Sequence, residues 1–189
     1  MRAVQILLVL TVMMVGQAQA KEVAVTVPAT AMPWNPGVNG KKSFGRRDGS
    51  RPVMIAGQHL FEGAKVRFSA TGETTTIPGG IAIGPDGQAD FVADDNVGNS
   101  GVVFPGYYVD RATRPIKLNA LLGAFIDADG RIVGMPFLIG RAAAVSVPAG
   151  AMGISLGIND DIYADNAGSL SVTVDIPEAR VIVEDKEAQ

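Results

Sequence analysis

The sequence predicts an all-β sandwich, on three observations. Apolar residues recur in short runs of strict period two, the pattern of strands that bury one face. Its 23 glycines and 11 prolines are scattered evenly through 189 residues and mark frequent turns. No heptad, internal repeat or low-complexity segment interrupts this texture. Together these features give about eight or nine short strands and almost no helix.

Residues 1–20 read as a secretory signal peptide. Arg2 supplies a positive start, Val4 to Val15 is apolar apart from Gln5 and Thr11, and Ala18-Gln19-Ala20 is an A-x-A cleavage site. The apolar run is too short to span a bilayer, so no membrane span is expected after cleavage. The expected location is secreted or periplasmic, with Lys21 as the mature N-terminus. The chain has no cysteine, which excludes both a lipidated-cysteine anchor and disulfides in that oxidising compartment. Loss of Arg2 takes the formal net charge from −3 to −4, an acidity that argues against nucleic acid or an anionic membrane as partner. Residues 21–177 form one sandwich domain, and residues 178–189 form a charged, frayed tail with a short strand at Val181 to Val183.

The elements follow in order. Glu22 to Val27 alternates and is the first strand, ended by Pro28. Trp34, flanked by two prolines, reads as a plug over one end of the sandwich, with a ligand platform as the alternative. Gly37 to Pro52 carries Lys41, Lys42, Arg46, Arg47 and Arg51 without periodicity; in an acidic chain it reads as a solvated loop ahead of an anion-binding patch. Pro52 to Ala56 is a strand, and the following turn holds His59, a surface residue with no metal or catalytic partner beside it. Lys65 to Ala70 turns Val66, Phe68 and Ala70 inward, Ala70-Thr71-Gly72 closes that strand, and Thr74 to Ile77 follows. Gly79 to Asn119 is long and weakly structured, which marks a functional or mobile loop. Its Phe104, Tyr107 and Tyr108 either stack on a ligand or anchor the loop to the core. Ala120 to Asp127 is a strand buried on both faces, and Asp127 to Gly130 is a hairpin turn that lacks the closing glutamate of a calcium loop. Met135 to Gly140 and Ala142 to Val147 are further strands, and Pro148-Ala149-Gly150 turns the chain onward.

The densest chemistry lies between two strict alternations. Met152, Ile154, Leu156 and Ile158 form one apolar face, and Leu170, Val172, Val174 and Ile176 form another. Between them stand Asn159, Asp160, Asp161, Asp165 and Asn166, five carboxamide or carboxylate side chains in eight positions. Carboxylates crowded together repel, and a divalent cation removes that cost; calcium takes six to eight hard oxygens. An ordinary Asp- and Asn-rich turn satisfies the same residues without a metal.

The run L-G-I-N-D-D-x-Y-x-D-N-x-G-S-L-S-V-T-V resembles the C-terminal motif of the calcium-dependent galactophilic bacterial lectins, the PA-IL-like family. F-S-A-T-G at Phe68 to Gly72, L-L-G-A-F-I at Leu121 to Ile126 and the P-F-L-I-G after it are similar in the same order, so the resemblance covers most of Val23 to Ile176. It implies a jelly-roll-like β-sandwich of the galactose-binding-domain type. It also implies one Ca2+ that coordinates two neighbouring sugar hydroxyls, held by the side chains of Asp160, Asp165 and Asn166 and by backbone carbonyls at Ile162 or Tyr163 and near Thr76. About five protein ligands leave room for two hydroxyls. The chain departs from the family in three places. The loop between Asp160 and Asp165 is shorter, Asp165 replaces an amide, and the sugar-contact loop gives way to residues 79–119, where Tyr107 and Tyr108 are the aromatic candidates for ligand contact beside Asp160 and Asn166.

The leading expectation is a secreted, calcium-dependent, carbohydrate-binding protein for a galactose-type glycan, with homo-oligomerisation left open. The alternative is a calcium-stabilised structural or protein-interaction sandwich of the cell envelope that binds no sugar. An enzyme is not expected: of the carboxylates Asp94, Asp95, Asp160 and Asp161, none is placed by the sequence as a pair across a cleft.

Overall fold

The computed structural model describes residues 20–94 and 97–178. The signal-peptide reading, save for Ala20, and the strand at Val181 to Val183 therefore fall outside the described residues, as do Asp95 and Asn96. The chain is an all-β sandwich. Its strands among the described residues are β1 (Ala20–Pro28), β2 (Val53–Ala56), β3 (Lys65–Thr75), β4 (Leu121–Ile126), β5 (Ile132–Leu138), β6 (Ala142–Ser146), β7 (Gly153–Ile158) and β8 (Ala167–Pro177). One antiparallel sheet runs β1-β8-β3-β6 and the other β2-β7-β4-β5. Helix is limited to short 3-10 turns at Gly40–Lys42, Pro105–Tyr108 and Arg111–Thr113.

The first sheet follows its alternation. Val66, Phe68 and Ala70 of β3 and Leu170, Val172, Val174 and Ile176 of β8 are buried, while their neighbours face outward. They pack on Ile55, Leu121, Phe125, Phe137, Ile154, Leu156 and Ile158 from the second sheet to form one core. Each such side chain contributes about 1.5–3 kcal/mol on burial. Pro28 is tolerated because β1 is an edge strand, where a missing N–H donor costs no interior ladder bond.

The two central strands of the second sheet are buried on both faces, every residue of β4 and of β7 being buried, while the edge strands β2 and β5 keep exposed residues. The sheet's outer face has two covers. Val109, Ile116 and Ala120 close over Leu122. The backbone of residues 31–33 lies on the small side of β7, where Ser155 Oγ donates to the Pro33 carbonyl at 2.6 Å and Gly157 touches Met32 and Pro33. Trp34 is fully buried beside this segment, its Nε1–H donating to the Lys42 carbonyl at 2.9 Å.

Several predicted boundaries change. β7 starts at Gly153, not Met152, which is exposed, and its glycines and serine mark a covered face instead of a solvated one. The A-T-G signal does not end a strand: β3 runs to Thr75 because Gly72, at φ +99°, bends the chain while staying opposite Leu170. β5 runs Ile132–Leu138, earlier than Met135 to Gly140, with a positive φ at Gly134 and a register shift opposite β4 between Gly123 and Phe125. Residues 79–119 are organised by two 3-10 turns and by bridges from Thr74 to Ile83 and from Val92 to Lys117.

A Cβ at Gly157 would meet the backbone of Met32 and lie 2.5 Å from Pro33 N, atoms that cannot swing aside. Gly157→Ala is therefore expected to cost about 1–3 kcal/mol in urea or thermal unfolding. Gly40→Ala, where nothing lies within 4 Å of the new carbon, should be close to neutral in the same assay.

Candidate functional site

β7 and β8 do not pair with each other. β7 belongs to the second sheet and β8 to the first, so residues 159–166 carry the chain across one end of the sandwich. This crossing explains the density of polar side chains. An irregular backbone between two buried strands has donors and acceptors with no ladder to join, and side chains must satisfy them.

Asn159 is fully buried and acts as a clamp. Its Oδ1 accepts from Gly106 N at 2.8 Å, and its Nδ2 donates to the carbonyls of Ala93 and Lys117, each at 3.0 Å. Asp160 is 4% exposed. Its Oδ1 accepts from the backbone N–H of Asp161 at 2.7 Å and of Ile162 at 3.2 Å, the Asx arrangement that short acidic side chains favour. Burial pushes its carboxyl up to about 6, against the lowering pull of the Ile162 amide, the Asn166 side chain and the Asp161 amide.

Asp161, which the resemblance leaves out of the ligand set, fastens a loop. Its Oδ2 accepts from Ser100 N at 2.6 Å, and its carbonyl accepts from Arg46 N at 2.8 Å. Tyr163 is fully buried; its hydroxyl donates to the Ile158 carbonyl at 2.9 Å and its N–H to Asp48 Oδ1 at 2.9 Å. Burial pushes its phenol well above the ordinary range. The basic segment is thus held against the crossing loop through Phe44, Gly45, Arg46 and Asp48, and is not the free solvated loop the sequence suggested.

Thr76, Asp160, Asp161, Ile162 and Asp165 line one depression of ≈ 300 Å³. Thr76 arrives there because Thr75 pairs with Ala167 at the start of β8. Gly168 takes φ +89° where its α-carbon passes the backbone of Glu73 and Thr74, a close approach that leaves no room for a side chain. Asn166 does not line the depression but stands behind it, its Nδ2 donating to the Ala29 carbonyl at 3.0 Å. Tyr107 and Tyr108 are not brought to this depression; its aromatic lining is Phe91 and Phe104. Asp94 does not line it either.

Two oxygens here are buried without a hydrogen-bond partner, Asp165 Oδ1 and Asn166 Oδ1. A buried acceptor left unpaired costs about 1–3 kcal/mol. Among the described residues no three His, Cys, Asp or Glu side chains group as a metal cluster. The donors of this loop are instead two carboxylates, one amide and backbone carbonyls, the mixed oxygen set that suits a hard cation such as calcium and does not suit a thiophilic metal. The residues present fit that ion. Nothing in the residues signals Asp48, the Asp161–Ser100 tie or the meeting of Phe104, one of the aromatic candidates, with Ile77 and Phe91 in an apolar wall, because each depends on contacts between distant segments.

No family model matches the chain, and no curated protein matches it. Among solved structures it is similar to one described as the EclA N-terminal domain, a PllA-like lectin, at 18% identity and a TM-score of 0.38, over 82% of this chain and 95% of that one.

The Asp160 carboxyl sits above its ordinary 3.8, so the fold prefers the protonated form. That contribution to stability is complete below about pH 4 and is lost as the pH rises through about 6, a change of roughly 3 kcal/mol in metal-free protein. Scanning calorimetry in chelator should show the wild type losing stability between about pH 4 and 7 relative to Asp160→Asn, whose amide oxygen keeps both backbone bonds. A wild-type-minus-variant difference that does not change with pH would contradict the assignment.

Proposed function

We propose that the protein is a calcium-dependent carbohydrate-binding protein of lectin type, exported through the leader at residues 1–20 and directed at a galactose-type glycan. The observation that carries this reading is the unpartnered buried Asp165 Oδ1, on a residue that lines the same depression as the buried Asp160 carboxylate, with a second unpartnered oxygen, Asn166 Oδ1, on the adjoining residue. Asp160, Asp165 and Asn166, with carbonyls at Ile162 and Thr76, would hold the ion. Bound calcium supplies a hard centre whose remaining positions accept two vicinal hydroxyls.

The chain's own residues set up this recognition. The Asp161 and Ile162 amides fix the orientation of the Asp160 carboxylate, so it loses little freedom on binding. The Asn166 Nδ2 bond to Ala29 ties that amide to the end of β1. Phe91, 43% exposed, and Ile77 give the depression an apolar wall for the C–H face of a sugar ring. One observation favours the second reading, a calcium-stabilised module without sugar: Ser100 is bonded onto Asp161, which draws the 97–103 segment over the same depression.

The two readings separate in thermal shift and isothermal titration. Calcium should raise the melting temperature under either, by linkage. Galactose or a galactoside should raise it further and bind at about millimolar to tens of micromolar, with the effect abolished by chelator, under the first reading alone. Asp160→Ala and Asp165→Ala should each weaken calcium by about tenfold or more. Full calcium affinity in either variant would remove that residue from the ligand set.

A further inference from the structure

We propose a second binding site, for a sugar residue bearing a carboxylate, in the shallow depression of ≈ 260 Å³ between Lys42, Arg111 and Arg114 and walled by Tyr107 and Tyr108. It is independent of the calcium reading, since none of its lining residues lines the acidic depression.

Three cations reach this place from segments far apart in sequence. Lys42 ends the 3-10 turn at Gly40–Lys42, and Arg111 and Arg114 flank the turn at Arg111–Thr113. No acidic side chain lines the depression, in a chain whose net charge is −3. The ion pairs among the described residues, Arg131 with Asp129 and Arg141 with Asp86, leave all three cations unpaired. The neighbouring Asp110 is turned to another task, its Oδ1 accepting from Ala112 N at 3.2 Å. Arg114 is the most constrained of the three. Its guanidinium lies 5.9 Å from the centre of the Tyr107 ring and bonds to the Tyr107 carbonyl, yet its Nε is buried without a partner. A guanidinium fixed by its two contacts with Tyr107, beside a second arginine, matches the two oxygens of a carboxylate.

The tyrosines supply the other half of the recognition. Tyr107 and Tyr108 stand edge to face at 5.2 Å, and Tyr107 is 47% exposed. Tyr108 is braced from below: its hydroxyl donates to the Ser43 carbonyl at 2.8 Å and its ring meets Trp34 at 6.3 Å. A rigid aromatic wall next to guanidinium groups suits a ring that carries its charge at one edge, and a space this small admits one such ring. The two depressions lie on either side of a single turn. Phe104 lines the acidic one and Tyr107 the basic one, and Tyr107 N donates to the Phe104 carbonyl at 3.1 Å.

The test is titration of the purified protein in chelator at low salt with digalacturonate and with sialyllactose, beside neutral galactobiose and a glutamate pentapeptide. At least one carboxylate sugar should bind, with affinity falling about tenfold on raising salt to about 0.5 M. Arg111→Gln and Tyr107→Ala, both at exposed positions, should each weaken that binding by about tenfold while the melting temperature stays put. The galactobiose arm should be silent. Absence of binding by both acidic sugars, equal binding by the pentapeptide, or unchanged affinity in both variants would overturn the proposal. Loss of calcium-dependent galactoside binding elsewhere on the protein would leave it standing.

Discussion

The Asp160 carboxylate is held almost out of water where the chain passes from one sheet to the other, and much of the local structure answers to that fact. A buried carboxylate is tolerated when hydrogen bonds or positive charge replace its hydration. Two backbone amides and the Asn166 side chain supply part of this, and they do not suffice, because the carboxyl still rises to about 6. Around it the loop places a second carboxylate and an amide oxygen, each with a buried atom lacking a partner. Buried acceptors without a partner are uncommon in folded proteins, and two of the three groups gathered here carry one. Both unpartnered atoms are acceptors, which a water, a donor group or a cation satisfies.

That local deficit sits on a frame whose central strands, β4 and β7, are buried on both faces. β7 can deliver its C-terminal end to a fixed point because residues 31–33 press on its glycine side and the core presses on the other. The insertion at residues 79–119 covers the neighbouring strand β4 and then returns to the crossing loop through Asn159 and Asp161. Scaffold and site are thus connected by hydrogen bonds from adjacent residues of one loop. Asn159 reaches into the insertion's buried turns, and Asp161 reaches to its exposed tip.

Much of this was legible in the residues. The period-two runs located the strands, the continuous apolar run at Leu121 to Ile126 gave a strand buried on both sides, and the Asp- and Asn-rich loop stood out as the place where polar chemistry concentrates. Thr76 was placed beside that loop by resemblance, and the strand pairing of β3 with β8 puts it there. What stayed hidden follows a common cause. Alternation reports how one strand meets one layer, so Gly153, Ser155 and Gly157 read as a solvated face when they are the imprint of another backbone segment. Similarly, Lys42 and Arg111 are far apart in the chain, and nothing in either stretch says that a buried tryptophan and two tyrosines bring them together. Tyr107 and Tyr108, expected to contact ligand beside Asp160 and Asn166, line instead the opening with Lys42, Arg111 and Arg114.

The attachment of the insertion through Asn159 has a consequence for how such a molecule can change. Its amide grips main-chain atoms at Gly106, Ala93 and Lys117; Gly106 admits no side chain, since a Cβ there would meet the Ala93 carbonyl and the Asn159 amide, while the other two contacts do not depend on the side chain carried. The grip therefore sets few conditions on the sequence between those points. Exposed residues such as Ile81, Phe91, Val97 and Tyr107 can be exchanged freely with the hold intact. The sandwich then serves as a fixed socket and residues 79–119 as an interchangeable face, so that surface chemistry can drift while the folding problem stays solved.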